Sequence, residues 1–147
     1  MWICLDTVWP QRDMYQILKA FNDAVSSVSG LVCTTGLPSE EELQQNEVLI
    51  WPWRIEEEVR TRTLRQDRIP SPQSQNLIIH CVVFAHDAAV LGQIREELCR
   101  EPMLGNDDQL ISVCSEPLAI ENLLGLFTAA KLVPRLCLPY MLRPAAA

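Results

Sequence analysis

Apolar residues recur at spacings of three and four in three stretches of the chain, and each stretch predicts an amphipathic helix. The first is "RDMYQILKAFNDAVSSVSG", where Gly30 is placed to end the helix. Its apolar stripe consists of Met14, Ile17, Leu18, Phe21, Val25 and Val28. The second is "HDAAVLGQIREELCREP", with Asp87 as a candidate cap, Pro102 as a stop, and Leu91, Ile94 and Leu98 on one face. The third follows Pro117, a residue suited to the first position of a helix. The predicted inner face of this third helix consists of Ile120, Leu123, Leu124 and Phe127.

Shorter stretches between these helices have the character of β-strands. "LVCTTG", "VLIWPWRI" and "NDDQLISVCS" are rich in β-forming residues, and "LIIHCVVFA" is almost continuously apolar, as in a strand that is covered on both faces. "LPSEEELQQNE" predicts a polar loop or a brief acidic helical turn. The order of these elements predicts a small α/β or α+β fold, a single domain over residues 1–147 with a mixed sheet of about five strands and about three helices.

The closing strand, "RLCLPYMLRP", contains a proline in its middle. Large apolar residues alternate along it, but Pro139 has no N–H to donate to a sheet ladder. The sequence therefore predicts a strand that pairs fully on one side only and leaves its other edge blunted. Valine at position 139 is then expected to leave folding intact and to promote extra pairing. Pro52 in "VLIWPWRI" likewise suggests an edge position or a bulge.

The overall charge argues against nucleic acid or a lipid surface as the partner. The net charge is −7 and the pI is about 4.8, so non-specific attraction to polyanions is not expected. No stretch approaches the ~20 consecutive apolar residues that a membrane span requires. The first residues, "MWICLDTVWPQRD", lack the basic region of a secretory signal, and no direct membrane insertion is predicted.

The six cysteines lack the spacing of a metal site. Their gaps run from 15 to 48 residues, and several cysteines lie inside apolar runs, where the thiol behaves as a small hydrophobic group. Buried, reduced thiols and assembly in the cytoplasm are expected, rather than disulfides or bound metal. The cysteines are Cys4, Cys33, Cys81, Cys99, Cys114 and Cys137.

Catalytic chemistry finds little support in the sequence. His80 lies in the most apolar strand and is interpreted as a packed core residue, while His86 precedes Asp87, which helix capping explains better than a catalytic pair. No nucleophile elbow, glycine-rich phosphate loop or metalloprotease motif is present. The acidic runs at Glu40–Glu42 and Glu56–Glu58 are interpreted as solvated surface. No enzyme activity, no cofactor and no metal are predicted.

Arginine and tryptophan supply the candidate contacts with a partner. Residues 55–76 predict a long, mobile loop, and five of the twelve basic residues cluster around it: Arg54, Arg60, Arg62, Arg65 and Arg68. Arginine is enriched in interfaces because its planar group pairs with carboxylates, although local pairing within a solvated loop is an alternative. Trp51 and Trp53 are expected on one face of a strand, either as core or as interface anchors.

Read in order, four stretches resemble the cap proteins of extracellular contractile injection systems, which are related in fold to phage tail terminators. The first two are "VLIWPWRIEEEVRTR" and "SPQSQNLIIHCVVFAHDAAVLGQIREELCREPML". The other two are "EPLAIENLLGLFTAA" and "PRLCLPYMLRP". The quoted stretches lie between Val48 and Pro144, and the resemblance as a whole covers about residues 10 to 144.

The resemblance implies a structural protein that forms a ring on the distal end of an inner tube and contacts the last sheath layer. Such a ring, a hexamer in this family, stops polymerisation and stabilises the loaded particle, which is assembled in the cytoplasm and released. Pro139, Tyr140 and Arg143 of the closing strand join the candidate partner interface on this basis. A phage tail terminator, a head–tail connector and a stand-alone adaptor that binds acidic partners are the alternatives.

Overall fold

A six-stranded mixed sheet forms the centre of the described part of the chain. The structure is a computed structural model and describes residues 11–57, 77–100, 104–105 and 110–144. Its elements in chain order are α1 Gln11–Ser29, β1 Cys33–Thr35, α2 Glu40–Gln45, β2 Val48–Glu57, β3 Leu77–Ala85, α3 Ala88–Arg100, β4 Leu104–Gly105, β5 Leu110–Ser115, α4 Ile120–Ala129 and β6 Cys137–Pro144. The predicted α+β class and element order are confirmed, the acidic segment after β1 forms the six-residue helix α2 rather than a loop, and the two-residue strand β4 is an addition.

The sheet order is β1-β2-β3-β6-β5-β4. β1 runs parallel to β2, and every other neighbouring pair is antiparallel. β6 therefore lies inside the sheet between β3 and β5, and the prediction that it has a free, blunted edge is wrong. The two edge strands within the described residues are the short β1 and β4.

Both strand prolines occupy positions where no ladder hydrogen bond is lost. The carbonyl of Pro139 accepts a hydrogen bond from the N–H of Glu116 at 3.0 Å, one residue past the end of β5. Because N and C=O of one strand residue point to the same side, the Pro139 nitrogen faces the region beyond β5, and the ladder with β3 is intact. Pro52 lies past the end of β1, and the β2–β3 register shifts between Pro52 and Arg54, as predicted.

The larger core lies between one sheet face and the helices α1 and α3. Strands β2 and β3 contribute alternate residues to it, and the rest comes from β5, β6 and the apolar faces of both helices. The predicted α3 face is confirmed, since Leu91, Ile94 and Leu98 are buried. Gly30 ends α1 in the left-handed region at φ 70°, which glycine adopts without strain, and its N–H bonds to the carbonyl of Ser26.

The opposite sheet face is covered by α2, α4 and the segment between α4 and β6. Leu43 of α2 and Phe127 of α4 join a smaller buried cluster with Leu49, Trp51, Val82, Phe84 and Leu132. Glu40 connects α2 to the segment between α4 and β6. Its carboxylate accepts hydrogen bonds from the N–H of Val133 at 2.8 Å and from the Arg135 guanidinium. The first acidic run is therefore not merely solvated surface.

Several sequence-based expectations require correction. Residues 55–57, expected to begin the long loop, belong to β2, and residues 58–76 lie outside the described residues. Five cysteines are free thiols, but Cys99 and Cys114 are exposed rather than buried, and Cys4 lies outside the described residues. None of the described helices has the length and apolar character needed to cross a membrane.

Candidate assembly surface

The two tryptophans of "WPW" lie on the same face of the sheet but differ in how deeply their side chains are buried. Trp51 is 2% exposed and belongs to the smaller core, which is one of the two roles that the sequence offered for it. Trp53 packs against the same cluster but is only half-buried, and its ring centroid lies 5.5 Å from that of His80. Tyr140 is fully buried in the larger core, which likewise excludes it from the surface of the folded chain.

The predicted arginines that fall within the described residues lie near the end of β2. Arg54 is exposed, and its guanidinium lies 3.3 Å from the Glu56 carboxylate. Arg143 of β6 is half-buried and opposes Ser112 of β5, close enough to Glu56 to influence its charge. Arg60, Arg62, Arg65 and Arg68 lie outside the described residues.

His80 is buried as predicted, but it is the centre of a hydrogen-bonded bridge between two carboxylates rather than a simple packed residue. Its Nδ1 lies 2.6 Å from the Glu116 carboxylate, and its Nε2 lies 2.6 Å from the Glu56 carboxylate. The three residues come from the end of β2, the middle of β3 and the start of the β5–α4 connection. The bridge therefore joins three elements that are remote in sequence.

The bridge sets the electrostatic environment of Glu56. The hydrogen bond from His80 lowers the pKa of Glu56 below its ordinary value, and the positive charges of His80, Arg54 and Arg143 lower it further. Partial desolvation opposes these effects without reversing them. Glu56 is therefore ionised at neutral pH, and the second acidic run is engaged in the fold rather than merely solvated.

A groove of about 440 Å³ lies beside this bridge, between the end of β2 and the helix α4. Its walls combine an indole, three aliphatic or glycine positions and several polar groups. They are formed by Trp53, Arg54, Glu116, Leu118, Glu121, Asn122, Gly125 and Leu126. Such a mixed surface suits contact with a protein side chain at least as well as a small molecule.

Helix α4 leaves part of its apolar surface uncovered. It begins at Ile120 rather than at Pro117, and only Phe127 of its predicted inner face is buried. Ile120 is 72% exposed and Leu124 is 44% exposed, which corrects the expectation that both face the core. They lie four residues apart and form an exposed apolar flank on α4. Unlike scattered surface leucines, paired apolar residues on one helix favour a protein contact.

The groups considered for catalysis and metal binding have structural roles. Asp87 accepts a hydrogen bond from the N–H of Ala89 at 2.9 Å and caps α3, as predicted. His86 points elsewhere, with its Nε2 3.0 Å from the carbonyl of Asn46. Among the described residues, no group of three or more histidines, cysteines or carboxylates is arranged to hold a metal ion.

Comparison with known proteins gives a match in structure but not in sequence. No family model matches the chain, and no curated protein matches it. A solved structure of the PVC sheath/tube terminator, from an extracellular contractile injection system in the extended state, superposes with a TM-score of 0.59 over 96% of this chain, at 15% identity. The chain has the fold of a contractile-injection-system terminator.

A second solved structure supports the same fold. The tube-terminating cap of the anti-feeding prophage superposes with a TM-score of 0.51 over 89% of this chain, at 14% identity. The chain corresponds to only 58% and 55% of the two matched chains. The terminator fold thus accounts for nearly all of this chain, while each matched protein contains additional residues.

The sequence did not predict the bridge that His80 forms with Glu56 and Glu116. Glu56 and Glu116 lie 24 and 36 residues from His80, so no local spacing relates them. The only hint in the sequence is a histidine at the centre of an apolar strand, because a buried polar side chain requires partners. That hint identifies the residue but not the partners.

Proposed function

We propose that this chain is the cap of a contractile injection particle. It forms a ring on the distal end of the inner tube, contacts the last sheath layer, ends polymerisation and stabilises the loaded state. The observation that carries the proposal is the terminator fold, matched over 96% of the chain to a protein described as a sheath/tube terminator. The role is structural and requires no bond-making chemistry.

The sheet edges suit a protein that must stop a growing assembly. A terminator offers one surface that fits the repeating subunit and no surface on which the next subunit can add. Within the described residues the edge strands β1 and β4 contain three and two residues, too short to template a long added strand. Attachment through side chains is therefore favoured over extension of the sheet.

The exposed flank of α4 is the proposed contact with a neighbouring subunit. Ile120 and Leu124 are expected to pack against an apolar surface, with the adjacent groove receiving side chains at the rim. Replacing both residues with serine should weaken ring formation without unfolding the chain, because neither side chain is buried. Ala129→Ser on an exposed position of the same helix is the matched control. Normal rings in the double variant would exclude the flank as the contact.

The arginine-rich segment is proposed to dock on carboxylates of the tube or sheath. This part of the proposal rests on composition, because Arg60 and Arg62 lie outside the described residues. Reversing both charges to glutamate should reduce capping. The same reversal at Arg95 and Arg100, which are exposed on α3, is the control. Equal capping by both double variants would show that the segment does not dock.

The oligomeric state provides the direct test of the proposed function. The purified chain, alone and with tubes of its particle, should be imaged by negative stain and weighed by mass photometry. Closed rings of about 100 kDa, six times the chain's 16.7 kDa, or chains bound at tube ends, are expected. A persistent monomer that leaves tube length unchanged would refute the cap and favour the adaptor. Assembly in the cytoplasm, followed by release within the particle, is part of the proposal.

A further inference from the structure

The geometry of the Glu56–His80–Glu116 bridge constrains its protons. Each imidazole nitrogen lies 2.6 Å from a carboxylate oxygen, which is a short hydrogen-bond distance. A neutral imidazole has one N–H and one lone pair, so it can donate to only one of the two carboxylates. With both carboxylates ionised, the arrangement requires protons on both ring nitrogens.

The two carboxylates that flank the ring favour its doubly protonated state, while burial of the ring opposes it. The His80 side chain is 7% exposed, and the half-buried Trp53 ring packs against it. Among the described residues, the ionisable groups near the bridge are Arg54 and Glu56 from β2, Arg143 from β6, Glu116 from the β5–α4 connection and Glu121 from α4 across the groove, while the Cys81 thiol lies on the opposite face of the sheet. Glu56 and Glu116 both bond to the ring, and an imidazolium neutralises one of these two carboxylates.

We propose that the Glu56–His80–Glu116 bridge is a proton-dependent latch on the end of β2. When both ring nitrogens carry protons, the latch is closed, and His80 joins the end of β2 to the β5–α4 connection. When the ring loses one proton, one of the two carboxylates faces a lone pair and is released.

The released carboxylate is that of Glu56. The side chain of Glu116 is 10% exposed and would be costly to leave buried without a donor, whereas that of Glu56 is 37% exposed and can be hydrated. Arg54 already lies 3.3 Å from Glu56 and offers it an alternative partner. The remaining proton therefore stays on Nδ1, next to Glu116. Because the closed state binds one more proton, the latch closes at lower pH and opens as the pH rises.

Opening the latch would loosen one wall of the groove. The last ladder pairs of β2 with β3 are Glu56 with Ile78 and Glu57 with Leu77, and the carboxylate bond to His80 is a side-chain restraint next to them. Trp53 and Arg54, which line the groove, precede this end directly. Loss of a charge-assisted hydrogen bond should raise the opening equilibrium of the strand end about tenfold.

The protonation state is tested by nitrogen-detected NMR of the imidazoles of the isolated chain, so no assembly is required. The chain has two histidines, and His86→Gln assigns the signals by removing one set. Over a pH titration, His80 should pass from two protonated nitrogens to the Nδ1–H tautomer. A neutral ring throughout the range in which the chain is folded, or an Nε2–H tautomer, would overturn the proposal.

The mechanical consequence is tested by amide hydrogen exchange at residues 54–57, corrected for the intrinsic exchange rate. In the wild type, protection should fall about tenfold as the pH rises through the titration of His80 measured in the same sample. Glu56→Gln should abolish this dependence, because an amide can accept from the protonated ring and donate to the neutral one. His86→Gln, the control, should keep the wild-type profile. The same profile in the wild type and in Glu56→Gln would refute the latch.

Discussion

The buried hydroxyl of Tyr140 yields a quantitative prediction about stability. Tyr140 is fully buried in the larger core, and its ring packs against Phe21 with centroids 5.8 Å apart. Its hydroxyl has no hydrogen-bond partner among the described residues, and burial raises the pKa of this hydroxyl, so it stays neutral. A hydroxyl that is buried without a partner destabilises the folded state.

The magnitude follows from the cost of desolvation. Leaving a buried polar group without a partner costs about 1–3 kcal/mol in proteins. Tyr140→Phe removes the hydroxyl and keeps the ring, while the small void left behind offsets part of the gain. The free energy of unfolding should therefore rise by about 1 kcal/mol, which corresponds to an increase of about 3 °C in Tm for a domain of this size.

Equilibrium urea unfolding, followed by circular dichroism, measures this change. The second tyrosine of the chain supplies a matched control, since Tyr15 is 65% exposed on α1. Tyr15→Phe should change the free energy of unfolding by less than about 0.5 kcal/mol. A loss of about 1 kcal/mol or more in Tyr140→Phe would refute the reasoning, because it would mean that the hydroxyl has a partner that stabilises the fold.

Three further predictions concern a proline, a carboxylate and the thiols. Pro139→Val should neither aggregate nor change the urea midpoint appreciably, because the nitrogen at position 139 faces the region past the end of β5; aggregation detected by light scattering would contradict this placement. The pKa of Glu56 is lower in the folded chain than its ordinary value of 4.5, so the stabilisation linked to ionisation of this carboxylate is lost as the pH falls from 4.5 through the lowered value. The free energy of unfolding of the wild type should therefore fall more steeply below pH 4.5 than that of Glu56→Gln, and parallel curves would contradict the bridge. Maleimide labelling with mass spectrometry should modify the exposed Cys114 long before Cys81, whose pKa is raised by burial, and equal rates would show that the β3 core is open.

The sequence alone determined those elements whose local pattern matches their final surroundings. The three-and-four spacing in α1 and α3 predicted which residues would be buried, because a long helix turns one stripe towards whatever covers it. Continuous apolar content likewise identified β3 as a strand covered on both faces, and Pro52 as a bulge position. These features depend on residues that lie close together in the chain.

Only the tertiary structure decided which elements became neighbours. Pro139 was compatible with an edge or with a central strand, and the end of β5 next to it made the central position acceptable. The sequence predicts Ile120 and Leu124 as core residues. In the structure α4 starts three residues after Pro117, and both side chains are exposed on its flank. The partners of His80 are Glu56 and Glu116, which lie 24 and 36 residues from it in the sequence. The spacing of apolar residues along a helix or strand specifies which of its faces is buried. The order of strands in the sheet and the long-range ion pairs depend on how the whole chain packs.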